Sequence, residues 1–227
     1  SASLTSSLNY HNTTTNDNTP IEVIYAPIKI VLSVSGSTSS NAYGVKRSLT
    51  ASSTAWERTD DSQGLVANAT HDGSEVTNDF DNIYPWSGII SYNYDTSQNE
   101  ITAYYGDANF RFDGSNGEVL TYIPEFYYKR YQDGSYEYVQ ISQTQKEGFT
   151  LSPAFSVGRY ESGYVNSKIT SRSGVLPKVS QNITWFRTQS KALGTGFGQM
   201  DYHIFLIQLL YLVEYSDYNS QSKLGNG

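Results

Sequence analysis

The chain has no cysteine and a single methionine in 227 residues. Without thiols there is no disulfide, no thiolate metal site, no haem attachment and no cysteine nucleophile. Charge is also sparse. Charged residues make up 16% of the sequence, the net charge is -7, and no run of Lys or Arg exceeds two. A phosphate backbone or an anionic membrane surface finds no electrostatic footprint on such a chain, so nucleic acid is not an expected partner. Long apolar runs are missing too. The longest, Ile204 to Val213, is interrupted by Gln208 and is about half of what a membrane-spanning helix needs, so no membrane insertion is expected. No charged-then-apolar leader is present, and the opening on Ser1 rather than Met suggests a processed chain or a fragment.

Several chemistries lack their signatures. There is no GxSxG and no phosphate loop, and GTGFG at 194–198 has the wrong glycine spacing for a dinucleotide site and follows a predicted helix. The three histidines, His11, His71 and His203, show no metal-ligand spacing. His11 lies in a polar arm, His71 beside a turn, and His203 opens an apolar helix, where a hydrogen-bonded core role is expected. An EF-hand count from Asp107 puts Glu118 at the twelfth position but Phe112 at the sixth, where Gly is required, so a turn between strands is the better reading. Acid pairs such as Asp79/Asp81 and Asp60/Asp61 could serve a glycosidase only if the fold set them across a sugar. No metal or cofactor is expected. The sequons at Asn12, Asn68 and Asn182 matter only in a eukaryotic secretory pathway.

What the chain has is aromatics: 20 Tyr, 9 Phe and 3 Trp, with hydrophobic residues at 37%. That is enough apolar surface to offset chain entropy and form one good-sized domain. Abundant Ser, Thr, Asn and Gly suit a β-rich, loop-heavy extracellular or virion protein. Residues 1–20 read as a polar arm and Ile21–Val34 as a β-branched strand, so residues 1–41 form an N-terminal region and 42–227 the main domain. Short strands and turns are expected from Tyr43 to about Thr102. A hairpin follows, with Val119–Tyr131 and Tyr136–Ile141 joined by Gln132-Asp133-Gly134-Ser135, where Asp-Gly favours a type I′ turn. Pro124 marks an edge, a bulge or a strand start.

Two late helices are predicted, about Ile183–Leu193 with Asn182 as N-cap, and about Tyr202–Tyr215 with Asp201 as cap. The second is apolar on nearly every side and should be central and buried. Trp86, Trp185, Leu206, Leu209 and Leu210 are the expected core, with Asp79 or Asp81 bonded to loop backbone. The tyrosines crowd the middle of the chain. Tyr offers a large rigid face at low entropy cost and a hydroxyl that hydrogen-bonds, and with Ser, Asn and Gly it makes a common recognition surface. Tyr92, Tyr94, Tyr104, Tyr105, Tyr160 and Tyr164 are the candidate ligand-binding residues.

Six strings occur in order: YGVKRSLTASSTAWERTDDSQGLVA (43–67), NDFDNIYPWSGI (78–89), AYYGDANFRFDGSNGEV (103–119), YIPEFYYK (122–129), GFTLSPAF (148–155) and GTGFGQMDYHIFLIQLLYLVEYSDYNSQSKLGNG (194–227). Together they resemble a family of phage tail-fibre and receptor-binding proteins, over about residues 43–227. The resemblance implies an α+β, C-type-lectin-like fold, distantly similar to major tropism determinants and formylglycine-generating enzymes. It further implies a non-catalytic adhesin in the virion tail, outside the cell, that contacts a host cell-surface glycan or protein. Expected partners within the virion are other tail proteins and sister copies in a homotrimer. The enzymatic relatives of that fold work through cysteines, which this chain lacks. The calcium motifs EPN, QPD and WND of sugar-binding lectins are missing as well. In the family, the Asn-Ser-Gln-Ser string at 219–222 is followed by later strands that often carry the binding face. The present sequence ends at Gly227, so a C-terminally incomplete domain is expected. The alternative functions are a structural or assembly module of the tail and a glycan depolymerase.

Overall fold

A computed structural model describes residues 41–50, 55–67 and 77–216, all within a compact unit that runs from Ser39 to Gly227. The predicted strand Ile21–Val34, His11, His71 and the sequons at Asn12 and Asn68 lie outside the described residues.

The fold is α+β. A five-stranded sheet holds β1 (Ala42–Ser48), β2 (Glu57–Asp60), β6 (Phe126–Asp133), β7 (Tyr136–Ser142) and β8 (Thr150–Ser152), in the order β2-β1-β7-β6-β8. A four-stranded sheet holds β3 (Ile90–Asp95), β4 (Glu100–Tyr104), β5 (Glu118–Ile123) and β9 (Phe155–Gly158), in the order β4-β3-β5-β9. A short ribbon pairs β10 (Gly163–Val165) with β11 (Lys168–Thr170), and every pairing between named strands is antiparallel. Helices α1 (Ile183–Lys191) and α2 (His203–Glu214) come late in the chain.

The predicted first arm of the hairpin, Val119–Tyr131, is two strands in two sheets. Pro124 cannot donate to a ladder, and around it the chain leaves β5 and enters β6. The hairpin itself is β6–β7, with Asp133 opposite Tyr136, so Gly134-Ser135 is the two-residue turn. Gly134 alone takes a positive φ, +58°, the pattern of a type II′ rather than a type I′ turn.

The main core lies between the inner face of the first sheet and α2. Val45, Phe126, Val139 and Ile141 pack there against Leu206, Leu209, Leu210 and Val213. Trp86 is buried as expected. Its ring meets Phe80 and Tyr43 edge-on, and its Nε1 donates to the Leu210 carbonyl at 3.2 Å. The Asp79 carboxylate accepts from the Val66 N–H at 2.7 Å, which ties its 3₁₀ turn to the preceding loop.

Three expectations are corrected. Helix α2 is buried on one side only: Leu206, Leu209, Leu210 and Val213 face the sheet, while Ile204 and Tyr211 are 53% and 56% exposed. The N-cap of α2 is Tyr202, which receives no side-chain cap, and the Asp201 carboxylate instead meets His203 Nδ1 at 2.9 Å. Trp185 is half-buried and outside the core. It sits in the first turn of α1, whose Asn182 cap accepts from Trp185 N–H at 2.8 Å, and its ring packs on Tyr164 at the surface.

Helix α2 is closed at its far end by Arg58 from β2, which donates to the carbonyls of Val213 (2.6 Å) and Glu214 (2.7 Å). A cation there satisfies orphan carbonyls and complements the negative end of the helix dipole.

Candidate functional site

Strand alternation builds two chemically different faces on the first sheet. On β7, Glu137, Val139 and Ile141 point inward and are buried, which turns Tyr136, Tyr138 and Gln140 outward. Register then lines up outward residues across β1, β7 and β6. Lys46, Tyr138 and Tyr131 form one row, and Gly44, Gln140 and Lys129 the next.

The Tyr131 and Tyr138 rings are parallel to within 7°, with centroids 4.9 Å apart. Tyr136, 40% exposed, tilts against Tyr138 at 6.4 Å. Lys46 Nζ lies 5.0 Å from the Tyr136 centroid, and Lys129 Nζ 4.8 Å from that of Tyr131. Such placements are ordinary cation–π contacts.

A polar cluster borders this aromatic row. Asp60 ends β2 with a left-handed φ of +50°, a conformation Asp tolerates. Its Oδ2 accepts from Thr59 Oγ1 at 2.8 Å and from Gln140 Nε2 at 2.9 Å. The cluster exists because position 44 is glycine: any Cβ there would collide with Thr59 Oγ1 and Asp60 Oδ2. Partial burial, then the Asp60 charge, with Tyr138 and Asp133 adding to it, push the Tyr131 phenol above its usual value. It is therefore neutral and able to donate at physiological pH.

The six tyrosines picked from the sequence do not form one site. Tyr92, Tyr94 and Tyr104 share a region of the second sheet, but Tyr92 is buried and its hydroxyl donates to Ser156 Oγ at 2.8 Å. Burial is the main cause raising its pKa. Tyr94 donates to Asn99 Oδ1 at 2.6 Å and packs on Phe197. Tyr105 stands at the end of β4 against Phe110 and Phe112, and Arg159 covers the Phe112 ring. Tyr160 packs on a small core cluster of Ala103, Phe110 and Val119. Tyr164 pairs with Trp185 beneath Lys178. The face missed by the sequence reading was signalled by the hairpin: Tyr131, Tyr136 and Tyr138 flank the turn at positions that share one side once the register is known.

Of the acids weighed for chemistry, Asp60, Asp61, Asp79, Asp107 and Glu118 make protein bonds. Asp61 accepts from Ala42 N–H, and Asp107 from Tyr104 N–H. The Glu118 carboxylate takes Thr170 Oγ1 and Ser171 N–H. Among the described residues, no group of three His, Asp or Glu side chains could hold a metal ion. No described helix is long and apolar enough to cross a membrane. Among the described residues, two shallow cavities of about 210 and 180 Å³ are smaller than the ~300 Å³ typical of small-molecule pockets. No protein family, no curated protein and no solved structure matches the chain.

Proposed function

We propose that this chain is a recognition module: a non-catalytic adhesin domain of a phage tail fibre, C-type-lectin-like in fold, that binds a glycan or protein on the host surface. The observation that carries the reading is the outward face of the first sheet, where tyrosines alternate with polar side chains over an open surface. Tyrosine in that setting gives contact area at low entropy cost. The six ordered strings in the sequence support the family. In the virion the domain works as a homotrimer alongside other tail proteins.

An assembly module of the tail is the second reading, favoured by Leu176, Val179 and Ile183, which are 88%, 68% and 53% exposed. Apolar exposure of that kind fits a protein contact.

The test is binding of the purified chain to a panel of whole bacterial cells and extracted cell-wall polysaccharides, with released sugars assayed in parallel. Saturable cell binding without sugar release is the expected result. Release of sugars would make the chain a depolymerase, and failure to bind any cell would leave the assembly reading. Light scattering at micromolar concentration should give about three times the 25.3 kDa of one chain, and a monomer mass would refute the trimer.

A further inference from the structure

Resting on the recognition reading, we infer that the outward face of the first sheet binds an uncharged saccharide, its rings against Tyr131, Tyr136 and Tyr138 and a hydroxyl donating to Asp60.

The aromatic geometry leaves ring surface for a ligand. Two parallel rings with centroids 4.9 Å apart and planes separated by a contact distance of ~3.5 Å are offset sideways by about 3.4 Å. Part of each ring is therefore left uncovered by the other. Sugar rings present a C–H face that packs on such surface and equatorial hydroxyls that need partners in the same plane.

The polar cluster supplies those partners. Both protein donors reach Asp60 on Oδ2, from Thr59 and from Gln140, and the residue is exposed, so its second carboxylate oxygen can accept from a ligand. A carboxylate only accepts, so the ligand group that meets it must carry a hydrogen, as a hydroxyl does.

Charge selects the class. Lys46 and Lys129 already sit over tyrosine rings, and Lys46 is 3.6 Å from Glu57. A cationic ligand would be repelled by these two ammonium groups. An anionic one would meet Asp60, Glu57 and Asp133. With opposite charges interspersed, neither sign is favoured, and a neutral, hydroxyl-rich ligand fits. Protein interface cores are depleted in Lys, Asp and Glu, so the same composition argues against a protein partner at this face.

The experiment titrates the full 227-residue chain, by calorimetry, with uncharged hexose and N-acetylhexosamine oligosaccharides of two to six units. A uronic-acid oligomer and a glycerol-phosphate polymer serve as charged comparisons. At least one uncharged oligosaccharide should bind, and Tyr138→Ala and Asp60→Asn should each weaken it about tenfold or more. Tyr211→Ala, on the exposed side of α2, should bind as the parent does. Asp60→Asn preserves shape, so it keeps the test open if Tyr138→Ala fails to fold. Binding confined to the charged probes, or binding that both face variants leave intact, overturns the inference. Whole-cell binding separates the two levels. A chain that binds cells but no uncharged oligosaccharide refutes the saccharide site and leaves the recognition reading. A chain that binds an oligosaccharide through this face but no cell does the reverse.

Discussion

Glu137 to Gln removes one charge from the inner face of the first sheet and leaves the shape of the side chain. Glu137 is nearly fully buried, at 4% side-chain exposure, yet it takes four contacts from two arginines. Arg47 approaches through Nε at 2.8 Å and Nη2 at 2.7 Å, and Arg130 through Nε at 2.6 Å and Nη2 at 2.5 Å. Removing one partner of a buried ionic cluster costs about 3–5 kcal/mol when the remaining charge stays buried. Here the arginine side chains are 34% and 49% exposed, so water takes over part of their solvation. Arg47 also keeps its place over the Trp56 ring. The expected loss at pH 7 is therefore about 2–3 kcal/mol, or about 4–12 °C in Tm for a chain of this size.

The pH dependence isolates the charge. Burial works to raise the Glu137 carboxyl, but the hydrogen bonds and charges of Arg130 and Arg47 outweigh it and hold the group below its ordinary value of 4.5. The unfolded chain thus binds this proton more readily than the folded one. The stabilisation is fully present above the ordinary value and is lost as pH falls through the depressed folded value. Urea unfolding of parent and Glu137→Gln from pH 3 to 7 should show a wide gap at neutral pH that narrows below about pH 4.5. A gap of constant size across that range would mean packing, not charge, was lost, and the electrostatic account would fail.

Glu214 should behave in the opposite sense. Burial, chiefly, raises its carboxyl despite the hydrogen bonds from Asn78 and Tyr215, so its favourable contribution is present at low pH and is lost as pH rises through the raised folded value. Glu214→Gln should therefore stabilise the chain by up to about 1 kcal/mol at pH 7 and have no effect near pH 3, read by the same urea series. Gly44→Ala forces a methyl into Thr59 and Asp60 and should cost about 1–3 kcal/mol in thermal unfolding, with saccharide affinity falling in parallel. In α2, Leu209→Ala should cost about 2–5 kcal/mol while Tyr211→Ala stays within ~0.5 kcal/mol; equal effects at the two positions would mean that the helix is not packed on one side.

The local signals in the sequence translate directly into structure. Asn182 caps α1 and the Gln132–Ser135 segment closes a hairpin, because each depends on residues within a few positions of one another. What local pattern cannot carry is the partner of each strand. β1 pairs with β7 about ninety positions away, and β5 pairs with β9 across the whole β6–β8 segment. The buried side of α2 was hidden for a related reason. Its apolar residues surround the axis, so periodicity gives no direction, and only the sheet it meets decides that Leu206, Leu209, Leu210 and Val213 go inward.

The same reasoning explains why counting tyrosines does not by itself assign them to one face. A tyrosine serves packing or recognition according to which side of its strand it occupies, and a shift of one residue in register exchanges the two roles. Tyr92 lies where the second sheet covers it and Tyr160 against a small core cluster, whereas Tyr131, Tyr136 and Tyr138 stand opposite the buried set Glu137, Val139 and Ile141. That buried set fixes the register of the hairpin. An inward Glu137 held by Arg47 and Arg130 spans β1, β7 and β6, so the ionic cluster pins the three strands that carry the outward row. Glu137→Gln at neutral pH should therefore loosen the Tyr131–Tyr138 pair, visible as a change in tyrosine near-ultraviolet circular dichroism below the unfolding transition. An unchanged near-ultraviolet spectrum together with the predicted loss of stability would show that the cluster supports the fold without setting the geometry of the face.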